Sequence, residues 1–494
     1  MKIRYSISIG LFVGMLTVIS SCTSDFEDIN TSETDPTEVP STNLLGYALE
    51  DFTNKTFNTT IDGGESGYAN QIGKIQYMEE AIYEFRDGDF NSYWQTVYRD
   101  LENLKEVEKQ ADAEGATNMK AAAITFSAFI WQIATDMWRD IPFSDALAAA
   151  DGNYSPSYDT QETIYPAVMD SLAKANELFN EGASDKLGDG DFLFNGDLTL
   201  WQKFANSLRL RMAMRLSNVD PTTSKSIVEQ ILADPTTYPV MTSNDDNAYY
   251  YWDGTDPYEE PWYYNKVVSG RDDHGIADVL VDTLKYFSDP RLQFYAHPAP
   301  SDNVYRGVTV GTTLSSFSMN DISRIGTRFR DVADGSSPLM SYSELLFIVA
   351  EGAQRGWNVG MTANEAYDAA ITASMKENTT DKEGEIADSQ IAAYLAQSDV
   401  AFNNTLTCIY LQKWIALFKN GPEAWAENRR TDVPQLSPSP DGDYSANHNR
   451  PPFHQPYPNN EYDLNYDNIQ PYWAQVSDYL WGKQMYWDTR VNVY

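Results

Sequence analysis

Residues 249–264, YYYWDGTDPYEEPWYY, place eight aromatic side chains in sixteen positions. Gly254, Pro257 and Pro261 interrupt the run, so it cannot be one regular helix with a single buried face. Flat aromatic rings pack against C–H faces of a ligand, while neighbouring carboxylates and amides take its hydroxyl hydrogen bonds. Asp253, Asp256, Glu259 and Asn265 stand beside these rings. The expectation is a binding loop in which some rings touch a ligand and the others anchor the loop to the body. Tyr251, Trp252, Asp253, Trp262 and Tyr263 are the expected contacts.

Two shorter segments carry similar chemistry. SGRDDHG at 269–275 offers Arg271, which can donate bidentately to a carboxylate or to vicinal hydroxyls, with Asp272 beside it. The competing reading is an aspartate cap for the following helix, IADVLVDTL. The early loop IDGGESGYANQ at 61–71 has glycines that can bring Tyr68 and Asn70 to a cleft edge.

Other chemistries are poorly supplied. DKLGDGDFLFNGD at 185–197 is rich in oxygen donors but lacks EF-hand spacing and the terminal glutamate, and reads as a turn. The four histidines, at 274, 297, 448 and 454, form no H-E-x-x-H. No G-x-S-x-G elbow or phosphate-binding loop is present. A glycosidase needs two carboxylates roughly 5–10 Å apart, which spacing along a chain with 72 acidic residues does not decide. Neither an enzyme nor a cofactor is expected. A structural surface protein is the remaining alternative.

The elements that must hold these segments are helical. Val97, Leu101, Leu104 and Val107 share one helix face. Ala122, Phe126, Ile130, Ile133 and Met137 share another, in a helix that stops ahead of Pro142. Further helices are expected over 162–180, from Leu200 to the Asp220-Pro221 pair, over SKSIVEQIL, and over two runs starting at Leu339. One long helix is expected over 405–431. Pairs of this length resemble tetratricopeptide-like arrays. Residues 236–337 break the pattern and read as a loop-rich insert around one helix near 276–287.

The N-terminus concerns location. Lys2 and Arg4 precede an uncharged apolar run over 7–19, too short to span a bilayer and of signal-segment length. Ser20-Ser21-Cys22 then reads as a lipoprotein cleavage box, with Cys22 acylated. The expected organisation is a signal over 1–21, an acidic flexible tether over 22–40, and one domain over 41–494. The other cysteine, Cys408, then has no partner and reads as a small buried hydrophobe. A net charge of −37 leaves no basic footprint for nucleic acid.

Six segments together resemble the SusD/RagB-like family of nutrient-binding outer-membrane lipoproteins. They are CTSDFEDINTSETDPTEVP at 22–40, DMWRDIPFSDAL at 136–147, WQKFANSLRLRMAMRLSNVDP at 201–221, SDPRLQFYAHP at 288–298, PLMSYSELLFIVAEGAQRGW at 338–357 and LQKWIALFKNGPEAWAENRRTDVP at 411–434. The resemblance implies a mainly α fold of tetratricopeptide-like helix pairs with a loop-rich non-repeat region. It also implies a lipid-anchored protein facing the cell exterior that delivers an oligosaccharide, or in some members a peptide, to a SusC-like TonB-dependent β-barrel transporter. Asp25, Glu27 and Asp28 look like the family's surface-export signal.

Overall fold

Leu45, Ala48, Leu49 and Phe52 recur at three- and four-residue spacing, and all are buried, which makes Ser41–Asp62 an amphipathic helix, α1. The computed structural model describes residues 39–494 apart from 63, 87, 378–383, 443, 445–446, 474–477 and 479. The expected signal, Cys22 and the tether as far as residue 38 lie outside the described residues.

Helix α2 (Asn91–Glu114) buries the expected stripe from Val97 to Val107. It ends at Gly115, whose φ of 70° is the left-handed close that favours glycine. Helix α3 (Thr117–Trp138) is buried on nearly every face. After α4 (Gln161–Asn180), the Asp197 side chain accepts from Thr199 and Leu200 N–H and starts α5 (Leu198–Arg215). Asp220 caps α6 (Pro221–Ala233), with the proline where its missing N–H costs nothing. Each of these six helices packs against the next, which is the expected array of pairs.

Residues 236–337 are irregular, and short strands fix them: β1 (Ile72–Lys74), β2 (Ala248–Tyr251), β3 (His274–Ile276) and β4 (Ser336–Met340). β2 and β4 pair antiparallel with Tyr251 opposite Ser336, which clamps the two ends of the insert together. β1 and β3 pair with Ile72 opposite Ile276, tying the early loop to the insert. Between them α7 (Asp278–Tyr286) buries Leu280, Val281 and Leu284. Its preceding residue is Ala277, so neither Asp272 nor Asp273 caps it.

Helices α8 (Tyr342–Gln354) and α9 (Ala363–Glu377) form a further pair. The long helix expected over 405–431 is instead two: α10 (Leu406–Ala416) and α11 (Gly421–Thr431). The reason is local. Lys419 turns the backbone to φ 77°, Asn420 caps the second helix, and Pro422 lies in its first turn. Cys408, on α10, is half-buried, and its thiol donates to the Thr405 carbonyl at 3.1 Å. At the C-terminal end, Trp481 and Trp487 are fully buried in the core.

The break between α10 and α11 lets α11 run back into the core, where it carries charge. Arg211 and Arg215 of α5 reach Glu344 of α8 at 2.7 Å and Glu423 of α11 at 2.5 Å. Arg215 also pairs with Glu427. Arg430 bridges Glu351 at 2.6 Å and Glu427 at 2.8 Å. Burial alone would lower the Arg215 pKa, but Glu423 and Glu427 hold it above its ordinary value. Arg429 does not join the pairs. Its guanidinium lies 3.5 Å from the centre of the Trp425 ring.

Candidate functional site

On α1 the buried stripe leaves Tyr47 and Glu50 facing outward. The turn over 188–197 comes against this face. The Asp191 carboxylate accepts from the N–H groups of Leu193, Phe194 and Gly196 and from the Trp201 indole, which holds the turn in shape. The oxygen-rich segment therefore presents a ring, Phe192, which is half exposed. Gly46 permits the approach. A Cβ there would sit 2.9 Å from both the Gly190 carbonyl oxygen and the Phe192 ring.

Strand β2 and the turn after it supply the opposite wall. Side chains alternate along a strand. Tyr249 and Tyr251 lie on one face, with ring centres 6.5 Å apart, and Tyr250 and Trp252 lie on the other, 4.7 Å apart. Tyr258 returns beside them because the chain turns at Gly254, whose φ is 79° and whose N–H donates to the Tyr258 carbonyl. The result is an open cleft of about 660 Å³ lined by Tyr47, Glu50, Phe192, Tyr250, Trp252 and Tyr258, with Tyr251, Asp253 and Asn195 at its margin. That volume is typical of small-molecule sites.

Tyr250 and Trp252 are nearly buried and form the floor, while Tyr47, Phe192 and Tyr258 stand exposed around it. The Trp252 indole N–H donates to Ser337 Oγ at 2.9 Å, so its edge is already used. Burial raises the Glu50 pKa, and the Asp51 charge adds to the effect. Behind Glu50, Asp51 pairs with Arg99, and Asp100 lies fully buried next to them. Burial first, and the Asp51 charge second, push the Asp100 carboxyl up to about 9.

A folded pKa raised from the ordinary 3.8 to about 9 means that the folded protein binds the proton more tightly than the unfolded chain. The stability this contributes is complete below pH 4 and is lost as pH rises through 9. Asp100→Asn, which keeps the neutral shape, should therefore gain on the parent by roughly 1.4 kcal/mol per pH unit above pH 4, a difference of several kcal/mol at pH 8.5. The gap should close towards pH 4. Urea unfolding at the two pH values measures it, and a gap that widens on acidification would contradict the assignment.

The expected site residues divide. Tyr251, Trp252 and Asp253 reach the cleft, although Tyr251 turns its ring to the outer face of β2. Trp262 does not reach it. It is fully buried, and its indole donates to the Phe57 carbonyl at 3.2 Å. Tyr263 is half-buried outside the cleft lining.

Pairing of β1 with β3 brings the other two candidate segments to each other, away from this cleft. Tyr68 and Asn70 line a pit of about 20 Å³, room for one water. Arg271 pairs with Asp273 and lies over the Tyr77 ring at 5.3 Å. Asp272 is held by Arg324 at 2.9 Å and Arg330 at 3.1 Å. These partners give both residues structural work.

Tyr47, Glu50 and Phe192 were not expected at a site. The available signal was an aromatic and an acid on α1 lying off its apolar stripe.

The family model described as "Starch-binding associating with outer membrane" (SusD-like_2) matches residues 33–458. No curated protein matches the sequence. A solved chitin-binding protein shares 26% identity at a TM-score of 0.80, over 91% of this chain and 100% of its own. A chitin-binding SusD homolog from Flavobacterium johnsoniae shares 23% at 0.77, over 90% and 99%. A SusD-like protein from Bacteroides thetaiotaomicron shares 22% at 0.77, over 92% and 100%. At these last two identities the likeness is one of fold. No described helix is long and apolar enough to cross a membrane.

Proposed function

Because the chain belongs to the SusD-like family, we propose that it is a cell-surface glycan-binding protein whose ligand lies in the cleft between α1, the 188–197 turn and β2. The observation that carries this reading is the set of exposed rings, Tyr47, Phe192 and Tyr258, around a floor of Tyr250 and Trp252. Sugar rings stack their C–H faces on such surfaces. Glu50 and Asp253 offer acceptors for hydroxyl and amide N–H groups.

A chain of net charge −37, with two acids at the cleft, repels an anionic polysaccharide. An uncharged glycan fits, and the likeness to a chitin-binding protein makes chitooligosaccharides the first probe. The protein is anchored through lipid on Cys22 behind the 22–40 tether, and it passes its ligand unaltered to a SusC-like TonB-dependent barrel. Two or three acyl chains give near-permanent attachment, at about 0.8 kcal/mol per buried methylene.

Titration of the protein from Thr23 onward with chitooligosaccharides, with product analysis of the same mixtures, tests the reading. Binding without cleavage is expected. Phe192→Ala/Tyr258→Ala should weaken it roughly a hundredfold, since each stacked ring contributes about 1–1.5 kcal/mol. Its unfolding should be unchanged, because both rings are exposed. Cleavage of the glycan, or unchanged affinity in the double variant, would refute the proposal.

A further inference from the structure

A second cleft, of about 510 Å³, lies on the other side of Arg99. Positions 94, 95, 98, 99 and 102 fall on one face of α2, beside the stripe from Val97 to Val107 that is buried in the body. Trp94 and Tyr98 form its wall, with ring centres 5.1 Å apart. The Tyr98 hydroxyl donates to the Pro142 carbonyl at 2.8 Å, and the ring meets Trp131 edge-on at 5.9 Å, so the wall is rigid. Tyr154 stands over the cleft and is 79% exposed. Gln95, Glu102 and Asn153 supply polar groups around the rings.

This arrangement repeats the chemistry of the first cleft, with a buried and a partly buried ring as a wall, an exposed tyrosine at the rim, and acceptors between them. It also adjoins that cleft. Arg99 lines the second cleft and Tyr47 lines the first, and the Arg99 guanidinium lies 5.8 Å from the centre of the Tyr47 ring. Both side chains are about half exposed, so the boundary is a low rim and not a wall. Arg99 is fixed there by its pair with Asp51 and by a 2.9 Å bond to Thr96 Oγ1.

We propose that the two clefts form one groove, in which a single glycan chain crosses the Tyr47–Arg99 rim, so that the ligand is a polymer and not a mono- or disaccharide. The inference rests on the glycan reading of the first cleft. Two linked contacts on one chain reinforce each other, because the second forms at a high effective concentration. Affinity therefore grows with chain length until both clefts are filled.

The probes are the chitin disaccharide and hexasaccharide, followed by calorimetry and by hydrogen exchange of the bound protein. The hexasaccharide should bind at least roughly tenfold more tightly than the disaccharide, by the added stacking of one further ring. It should slow exchange at 94–102 and 148–156 as well as around 46–50, 192–195 and 250–258. Glu102→Ala/Tyr154→Ala, at two exposed positions, should remove that tenfold gain and leave disaccharide binding unchanged.

Hexasaccharide protection confined to the first cleft, with equal affinity for both sugars, would overturn the extended groove and leave the first cleft's role standing. Protection at neither cleft would overturn both.

Discussion

Trp262→Ala should lower the free energy of unfolding by about 3–5 kcal/mol and should not act as a simple binding mutation. Its position in the aromatic loop suggested a ligand contact, but the ring has no exposed surface. Its N–H is taken by the Phe57 carbonyl on α1, and Lys419 Nζ lies 5.1 Å from the ring centre. Lys419 in turn pairs with Glu260 at 3.0 Å, and both are buried. Burial lowers the Lys419 pKa and raises that of Glu260, so the two charges are held in place only by each other and by their surroundings. Emptying the Trp262 site leaves a cavity beside this pair. Denaturant unfolding reads the loss. A variant as stable as the parent but weaker in glycan binding would return Trp262 to the site. The contrast with Phe192→Ala/Tyr258→Ala, which should change affinity and not stability, separates the two roles of aromatic residues here.

Arg215→Met should destabilise the fold by about 3–5 kcal/mol, because it leaves buried carboxylates without their partner. Arg215 is fully buried among Glu423 at 2.5 Å, Glu427, and Asp136 at 3.8 Å. After the substitution Glu427 keeps Arg430 and Lys413, but Glu423 keeps only Arg211, at 3.6 Å. Most of the cost should therefore come from Glu423. Arg215→Met/Glu423→Gln should recover a large part of the loss, since the unpaired charge goes with its carboxylate. A double-mutant cycle in denaturant measures the coupling. If the double variant is no more stable than Arg215→Met alone, the stranded charge on Glu423 is not the cause.

These two cases also show what kind of information each level holds. Helix stripes such as Leu45–Ala48–Leu49–Phe52 and Val97–Leu101–Leu104–Val107 depend on residues three and four apart, so they are legible in the chain. The same holds for the Asp220-Pro221 start of α6 and for the irregular insert, where glycine, proline and aromatics crowd out any period. The break at Lys419-Asn420-Gly421-Pro422 was equally local, and a single long helix over 405–431 overlooked the proline.

The amino-acid sequence by itself determined a mainly α chain of paired helices and an irregular, aromatic-rich insert between them. Only the tertiary structure decided which rings face the cleft. Tyr250 and Trp252 point one way, and Tyr249 and Tyr251 the other, only because β2 pairs with β4 from the far end of the insert. Tyr47 faces Phe192 across a gap that Gly46 keeps narrow, although the two are remote in the chain. Trp262 and Tyr258 lie in one short run, yet one is buried under α1 and the other is exposed. Periodicity acts over a few residues, whereas exposure depends on what packs against a side chain from elsewhere.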